Sequence, residues 1–250
     1  MDKKSISLIG RKTFRYNEKI EIIIPTVNQI RWIDEVGRIA ENQFWQEVNL
    51  FTLTPTDYMS ELDSIGIDFT QLSDYNFFIL TYLNLKSYFS SLNRPSQIFK
   101  GFNFWALNLS ENEHLTLNDG DDVIINEAIY KDLSDLICYM TCRERTPPKK
   151  FGNDYAKKKR IEQDYKKKER LRQKNGSNES NFFDKLILRL VCTADFPYNF
   201  ATIGEISLFE FMYSLKQIDK NISVDNLISS GYYGNDLKKY SADDLSRYVI

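Results

Sequence analysis

Histidine is nearly missing from this 250-residue chain, and His114 is its one imidazole. Nucleophilic machinery of the Ser–His–Asp or Cys–His kind needs a base tuned near neutrality and oriented by a third group. His114 sits among polar residues that read as a hairpin turn, and no such partner accompanies it. Cysteine is scarce as well. Cys138, Cys142 and Cys192 are an odd number without framework spacing, which argues against a disulfide scaffold and fits a reducing compartment. Cys138 and Cys142 share a face of an expected helix, and with Cys192 and His114 they supply the donor types of a zinc site. Their spacing is not that of a zinc knuckle, and buried core thiols are the simpler reading.

Long apolar runs are lacking too. Nowhere do 18 apolar residues follow one another, so no membrane-spanning helix and no membrane partner are expected. The apolar run from Ile6 to Ile9 is too short for a secretory signal. Neither a phosphate-binding Walker loop nor a GxGxxG turn is present. The acidic groups Asp34-Glu35, Asp119 with Asp121-Asp122, and Asp243-Asp244 lack the spaced ligands of a calcium loop. The expectation is a non-enzymatic protein with no catalytic, cofactor-binding or metal-binding residues and no cofactor.

What is present is aromatic weight and segregated charge. The 17 Phe, 15 Tyr and 3 Trp bury large areas and demand specific packing, and Tyr and Trp also favour interfaces. Lys149 to Lys174 holds 12 of the 33 Lys/Arg and 4 of the 35 Asp/Glu, a net of +8 against −10 for the rest of the chain. Such segregation attracts the chain to itself, to a partner or to a polyanion.

The pattern along the chain predicts an α+β, mainly helical fold in four parts. The first, 1–95, opens with strands Ser5–Ile9 and Lys19–Ile24 around a turn at Asn17-Glu18. Thr26 with Gln29 forms a capping box for a helix carrying Val27, Ile30, Trp32 or Ile33, Val36 and Ile39. Further helices are expected over Glu41–Leu53, after Thr56 as a cap with Gly66 as its stop, and from Asp74 to about Leu92, the last apolar on most sides and hence central. The second part, 96–145, is a small antiparallel insertion with strands at 97–99, 103–109, 115–117 and 122–125, followed by a helix capped by Asn126. The third, 146–180, is a basic connector, either a solvated helix projecting from the body or an unfolded link. The fourth, 181–250, is helical again and packs on the first, with a capping box at Ser207–Glu210 opening a helix to about Ile218 and short helices starting at Ser223 and Ser241.

The candidate binding residues are the clustered cations Lys157, Lys158, Lys159, Arg160, Lys166, Lys167, Lys168, Arg170 and Arg172. On a helix Glu162 and Lys166 would form an i,i+4 pair. Three readings stand: a solvated connector, a docking arm for an acidic surface, and weak nucleic-acid contact. Nucleic-acid binding would add stacking aromatics or a docking motif. Tyr155 and Tyr165 are thin support, and the acidic remainder repels phosphates.

A resemblance adds to this. The stretches from Ile22 to Ile30, Phe44-Trp45, Leu53 to Asp57, and Leu62 to Asp68 resemble a protein type of tailed phages of low-GC Gram-positive hosts, as do Phe196 to Ile203 and Leu208 to Phe211. A strand pair, a helical body and a closing helix are similar to the layout of phage tail assembly chaperones. The resemblance spans about 1–90 and 182–240, and the middle departs from it. It implies a tail assembly factor that binds the tape-measure protein, or another phage or host protein, in the host cytoplasm. Self-association is a further expectation. The alternatives are a virion structural or connector protein and a nucleic-acid-binding or host-takeover protein using the basic segment.

Overall fold

The computed structural model describes residues 7–30, 43–91, 94–110, 115–175, 182–193, 196–234, 236–241, 244 and 246. The fold is α+β and mainly helical, with two small three-stranded antiparallel sheets. In the first sheet, β1 (Thr13–Arg15) pairs with β2 (Glu21–Ile23) in the register Phe14↔Ile22. This strand lies nearer the turn than the expected Ser5–Ile9, of which Ser5 and Ile6 lie outside the described residues and 7–9 are not in a strand. Asn17 explains this: its side-chain oxygen accepts from the Lys19 and Ile20 amides at 2.9 and 2.7 Å, closing the turn on the residues just before it. Leu8 contributes to the core without being in a strand.

Thr26 and Gln29 form the expected capping box, with the Thr26 amide donating to Gln29 Oε1 at 2.8 Å and the Gln29 amide to Thr26 Oγ1 at 3.3 Å. Residues 27–30 are helical; Trp32, Ile33, Val36 and Ile39, expected on the same helix, lie outside the described residues. Helix α1 (Gln43–Thr52) buries Phe44, Val48 and Phe51. The next cap is Thr54 and not Thr56: the Thr54 amide donates to Asp57 Oδ2 at 2.8 Å. Pro55, whose missing N–H costs nothing in a first turn, opens a 3-10 turn that runs into α2 (Met59–Ser64). Gly66, at φ +77°, ends α2, and the Ile67 amide returns to the Leu62 carbonyl at 2.9 Å, as a left-handed C-terminal residue allows.

Helix α3 (Asp74–Ser91), capped by Ser73, is the central element expected of it. Phe78 meets the rings of Phe51, Tyr75, Tyr82 and Tyr130. Two tyrosine hydroxyls on α3 reach backbone carbonyls across the core: Tyr75 to Leu115 at 2.9 Å and Tyr82 to Phe104 at 2.8 Å. These bonds remove the penalty of burying a phenol, and burial still pushes the Tyr75 hydroxyl up to about 12.

Strand β3 (Phe99–Lys100) does not join the strands after it; it pairs with β2 and completes the first sheet. The second sheet is β4 (Asn108–Ser110), β5 (Thr116–Asp119) and β6 (Asp122–Ile125), with Gly120 at φ +60° in the β5–β6 turn. A 3-10 turn over Phe104–Ala106 replaces the first half of the expected strand at 103–109 and buries Trp105. Helix α4 (Glu127–Met140) starts on Asn126, whose side chain accepts from the Ile129 amide at 2.9 Å. One hydrophobic cluster runs from Leu8 through Phe51, Phe78, Trp105, Leu117 and Leu133 to Phe211 and Leu215.

The basic segment forms α5 (Asp154–Asn175). After it, α6 (Phe182–Val191) sets Phe183 against Phe211 of α7 (Leu208–Tyr232). The capping box Ser207–Glu210 is present. Helix α7 does not stop near Ile218: it continues unbroken through Ser223, whose hydroxyl donates to the Asp219 carbonyl at 2.8 Å. No proline or glycine interrupts it before Gly231. The expected cap at Ser241 is visible in the Asp244 amide donating to Ser241 Oγ at 3.2 Å.

The two ends of the chain are tied at the helix starts. The Leu208 amide donates to the Pro25 carbonyl at 2.7 Å and the Val27 amide to the Ile206 carbonyl at 3.0 Å. The Gly10 amide donates to Glu210 Oε1 at 3.0 Å, across 200 residues of sequence.

Candidate partner-docking face on the basic helix

Helix α5 forms for local reasons. The Ala156 amide donates to Asn153 Oδ1 at 2.8 Å, Asp154 sits in the first turn where the helix dipole favours an anion, and the body is Lys, Arg, Glu and Gln. Its 22 residues span roughly 33 Å.

It does not project into solvent. Lys157, Ile161, Asp164 and Lys168 fall on one stripe at helical spacing and face the body. Ile161 is buried in a second apolar cluster with Met59, Leu62, Phe69 and Phe77. Two ionic clamps flank it. Lys168 Nζ meets Glu61 Oε2 at 2.6 Å, Asp164 Oδ2 at 2.8 Å and the Asp57 carbonyl at 2.8 Å. Lys157 Nζ meets Asp68 Oδ1 at 2.6 Å. The ionisation of these groups follows. Partial burial works against the Lys168 ammonium, yet its bonds to Asp164 and Glu61 hold it above the ordinary lysine range. Lys157, with help from Thr70, draws the Asp68 carboxyl down to about 2. The expected Glu162–Lys166 pair is not formed; the i,i+4 pair of this helix is Asp164–Lys168.

The docking divides the nine candidate cations. Lys157 and Lys168 are spent on the seam, whereas Lys158, Lys159, Arg160, Lys166, Lys167, Arg170 and Arg172 stay exposed. Opposite the seam, helical spacing aligns Lys159, Gln163, Lys166 and Arg170, with Lys167 beside them. No acid lies on that line: Asp154, Glu162 and Glu169 fall on one flank and Asp164 in the seam. Two shallow hollows run along it. One, of about 400 Å³, lies between the incoming segment Lys149–Phe151 and Ala156, Lys159, Arg160 and Gln163. The other, of about 390 Å³, is lined by Gln163, Lys166, Lys167, Arg170 and Leu171. Gln163 belongs to both, so they adjoin as one track whose lining mixes cations with the apolar Phe151, Ala156 and Leu171.

The contribution of Lys149, Lys150 and Phe151 was not among the sequence candidates. The signal was there: Phe151 is the large apolar residue just before the helix, and its ring packs edge-on against Phe69 at 5.9 Å. That contact fixes where the chain enters α5.

The other chemistry-bearing residues stay apart. Cys138 is buried, Cys142 half-buried at φ +50° in the turn that ends α4, and Cys192 exposed. Burial pushes the Cys142 thiol up. His114, Asp34, Glu35 and Asp243 lie outside the described residues, and Asp122 pairs with Lys19 at 2.9 Å. Among the described residues no three metal-ligating side chains gather.

One buried carboxylate escaped sequence reading. Glu47 on α1 is fully enclosed and takes five hydrogen bonds. Oε1 accepts from Gln43 Nε2 at 2.8 Å and Trp105 Nε1 at 3.0 Å. Oε2 accepts from Ser96 Oγ at 2.8 Å and from the Gln97 and Ile98 amides at 2.9 and 3.0 Å. Burial pushes its carboxyl up to about 7 against the pull of those donors. With both oxygens engaged by the protein, Glu47 is a fastener between α1 and the segment that feeds β3.

No protein-family model matches the chain, and comparison with curated proteins and with solved structures gives no match.

Proposed function

We propose that the protein is a non-enzymatic assembly factor of a tailed phage, acting in the host cytoplasm, and that it holds a tail protein, the tape-measure protein first among them, through contact surfaces alone. The observation that carries the contact half of this reading is the acid-free outer face of α5. Lys159, Lys166, Lys167 and Arg170 remain there after the seam has used Lys157 and Lys168, on a molecule whose charge outside Lys149–Lys174 is net negative. A partner with acidic segments is drawn to that face by long-range charge. The tail half rests on the resemblance of the N- and C-terminal stretches to tail assembly chaperones. No helix among the described residues is long and apolar enough to cross a membrane.

Co-expression of the chain with the tape-measure protein of the same phage, followed by affinity capture, tests the proposal. The expected result is a soluble complex that forms in the cell and is missing from purified particles. A tape-measure protein that is equally soluble and unbound without this chain defeats it. Retention of the chain in finished particles makes it a virion component instead.

A further inference from the structure

We infer that the track along α5 is a docking site for a short acidic amphipathic protein segment, and that nucleic acid is not its ligand. The inference deepens the reading of α5 as the contact face and names what lies on it. From Ala156 to Leu171 the track runs roughly 23 Å along the helix axis, the length of a helical segment of about 15 residues.

Three features choose the ligand. The lining cations recur at helical spacing, so carboxylates on one side of a partner helix meet them in register. Apolar side chains stand between these cations: Phe151, Ala156 and Leu171, the last nearly half exposed. An amphipathic segment covers such side chains, whereas a phosphate backbone leaves them wet. The exposed tyrosines are misplaced for base stacking, because Tyr155 and Tyr165 line neither hollow. Single strands are held by stacking platforms along the charged groove. The surroundings agree: outside Lys149–Lys174 the chain carries a net charge of −10, which repels any polyanion longer than the track.

The test uses the full chain and fluorescence anisotropy with four probes: a dye-labelled peptide of about 16 residues bearing Leu on one helical face and Glu on the other, its Lys-for-Glu counterpart, a single-stranded DNA and a duplex DNA of matching length. The triple variant Lys159→Glu, Lys166→Glu, Arg170→Glu and the single variant Leu171→Ser alter exposed positions away from the seam, and circular dichroism checks that both stay folded. The Glu peptide is expected to bind and the Lys peptide not. The triple variant should weaken binding by about tenfold or more, the range seen when several close charge pairs are lost. Leu171→Ser should weaken it by about threefold, in proportion to the apolar area removed. Tighter binding of either DNA than of the Glu peptide overturns the inference, and so does unchanged peptide binding by the triple variant. Failure of the peptide to bind, with charge-dependent dimerisation of the chain in sedimentation, assigns the track to a second copy and also overturns it. The two proposals separate cleanly. Tape-measure capture that survives the triple variant leaves the assembly role and removes the track, whereas peptide binding without any tape-measure capture does the reverse.

Discussion

Glu47 is where a single side chain carries the most. Glu47→Gln puts an NH2 group among five donors, so at least one of them loses its acceptor. Loss of stability of about 3 kcal/mol is expected, read as a lower urea midpoint at unchanged slope. The pH dependence has a definite sign. A glutamate carboxyl ordinarily titrates near 4.5 and this one near 7, so the folded state keeps a proton that the unfolded chain gives up. Its contribution is complete below pH 4.5 and is lost as pH rises through 7. The wild-type urea midpoint should therefore fall between those limits, and the Gln variant should show a flatter profile. A steeper profile in the variant would contradict the burial argument. Nothing in the sequence marks Glu47. It is one of many carboxylates, and its five donors come from positions near 43, 96–98 and 105, which only the folded chain gathers.

At the scale of elements, α5 is held by one buried isoleucine and two ionic clamps. Exposed and half-exposed ion pairs contribute little each and are screened by salt. The helix should therefore open locally well before the main core. Ile161→Ala is expected to cost α5 about 2 kcal/mol, seen as faster amide exchange in α5 and α2 alone, with the global unfolding midpoint nearly unmoved. An equal loss of protection in α1 and α3 would mean that the second cluster is not a separate unit. The elements also tell what could be read in advance. Capping is short-range chemistry, so Thr26–Gln29, Asn126, Ser207–Glu210 and the Gly66 stop were legible in the chain. Helix α3 was legible from its apolar content. The seam of α5 was not, because one isoleucine among lysines gives almost no periodic signal. Strand β1, with Phe14 as its single large apolar residue, was hidden for the same reason, and so was the partner of β3, which sequence order placed with the later strands. The length of α7 is not legible because Ser223 looks like a cap in sequence, while in the helix its hydroxyl bonds back one turn. The candidate site was half legible: its cations stood out, but which two would turn inward depended on Glu61 and Asp68, about a hundred residues away.

For the whole molecule, the binding of residues 8–30 to residues 203–215 within one core has a direct test. A fragment ending at residue 175 lacks Ile206, Leu208, Phe209 and Phe211, all buried in the full chain, and uncovers the apolar face they fill. It is expected to lose the sharp near-ultraviolet dichroism of the full chain and to bind an apolar dye, as loosely packed states do. A fragment that unfolds cooperatively with the full chain's midpoint would refute the shared core. The same tie sets a clock for synthesis. Gly10 waits for Glu210, so the bond that ties the first strands to α7 cannot form until 200 residues later, a delay of roughly 10–40 s at ordinary elongation rates. During that interval greasy surface stands bare, and the nascent protein is open to capture by cellular holdases.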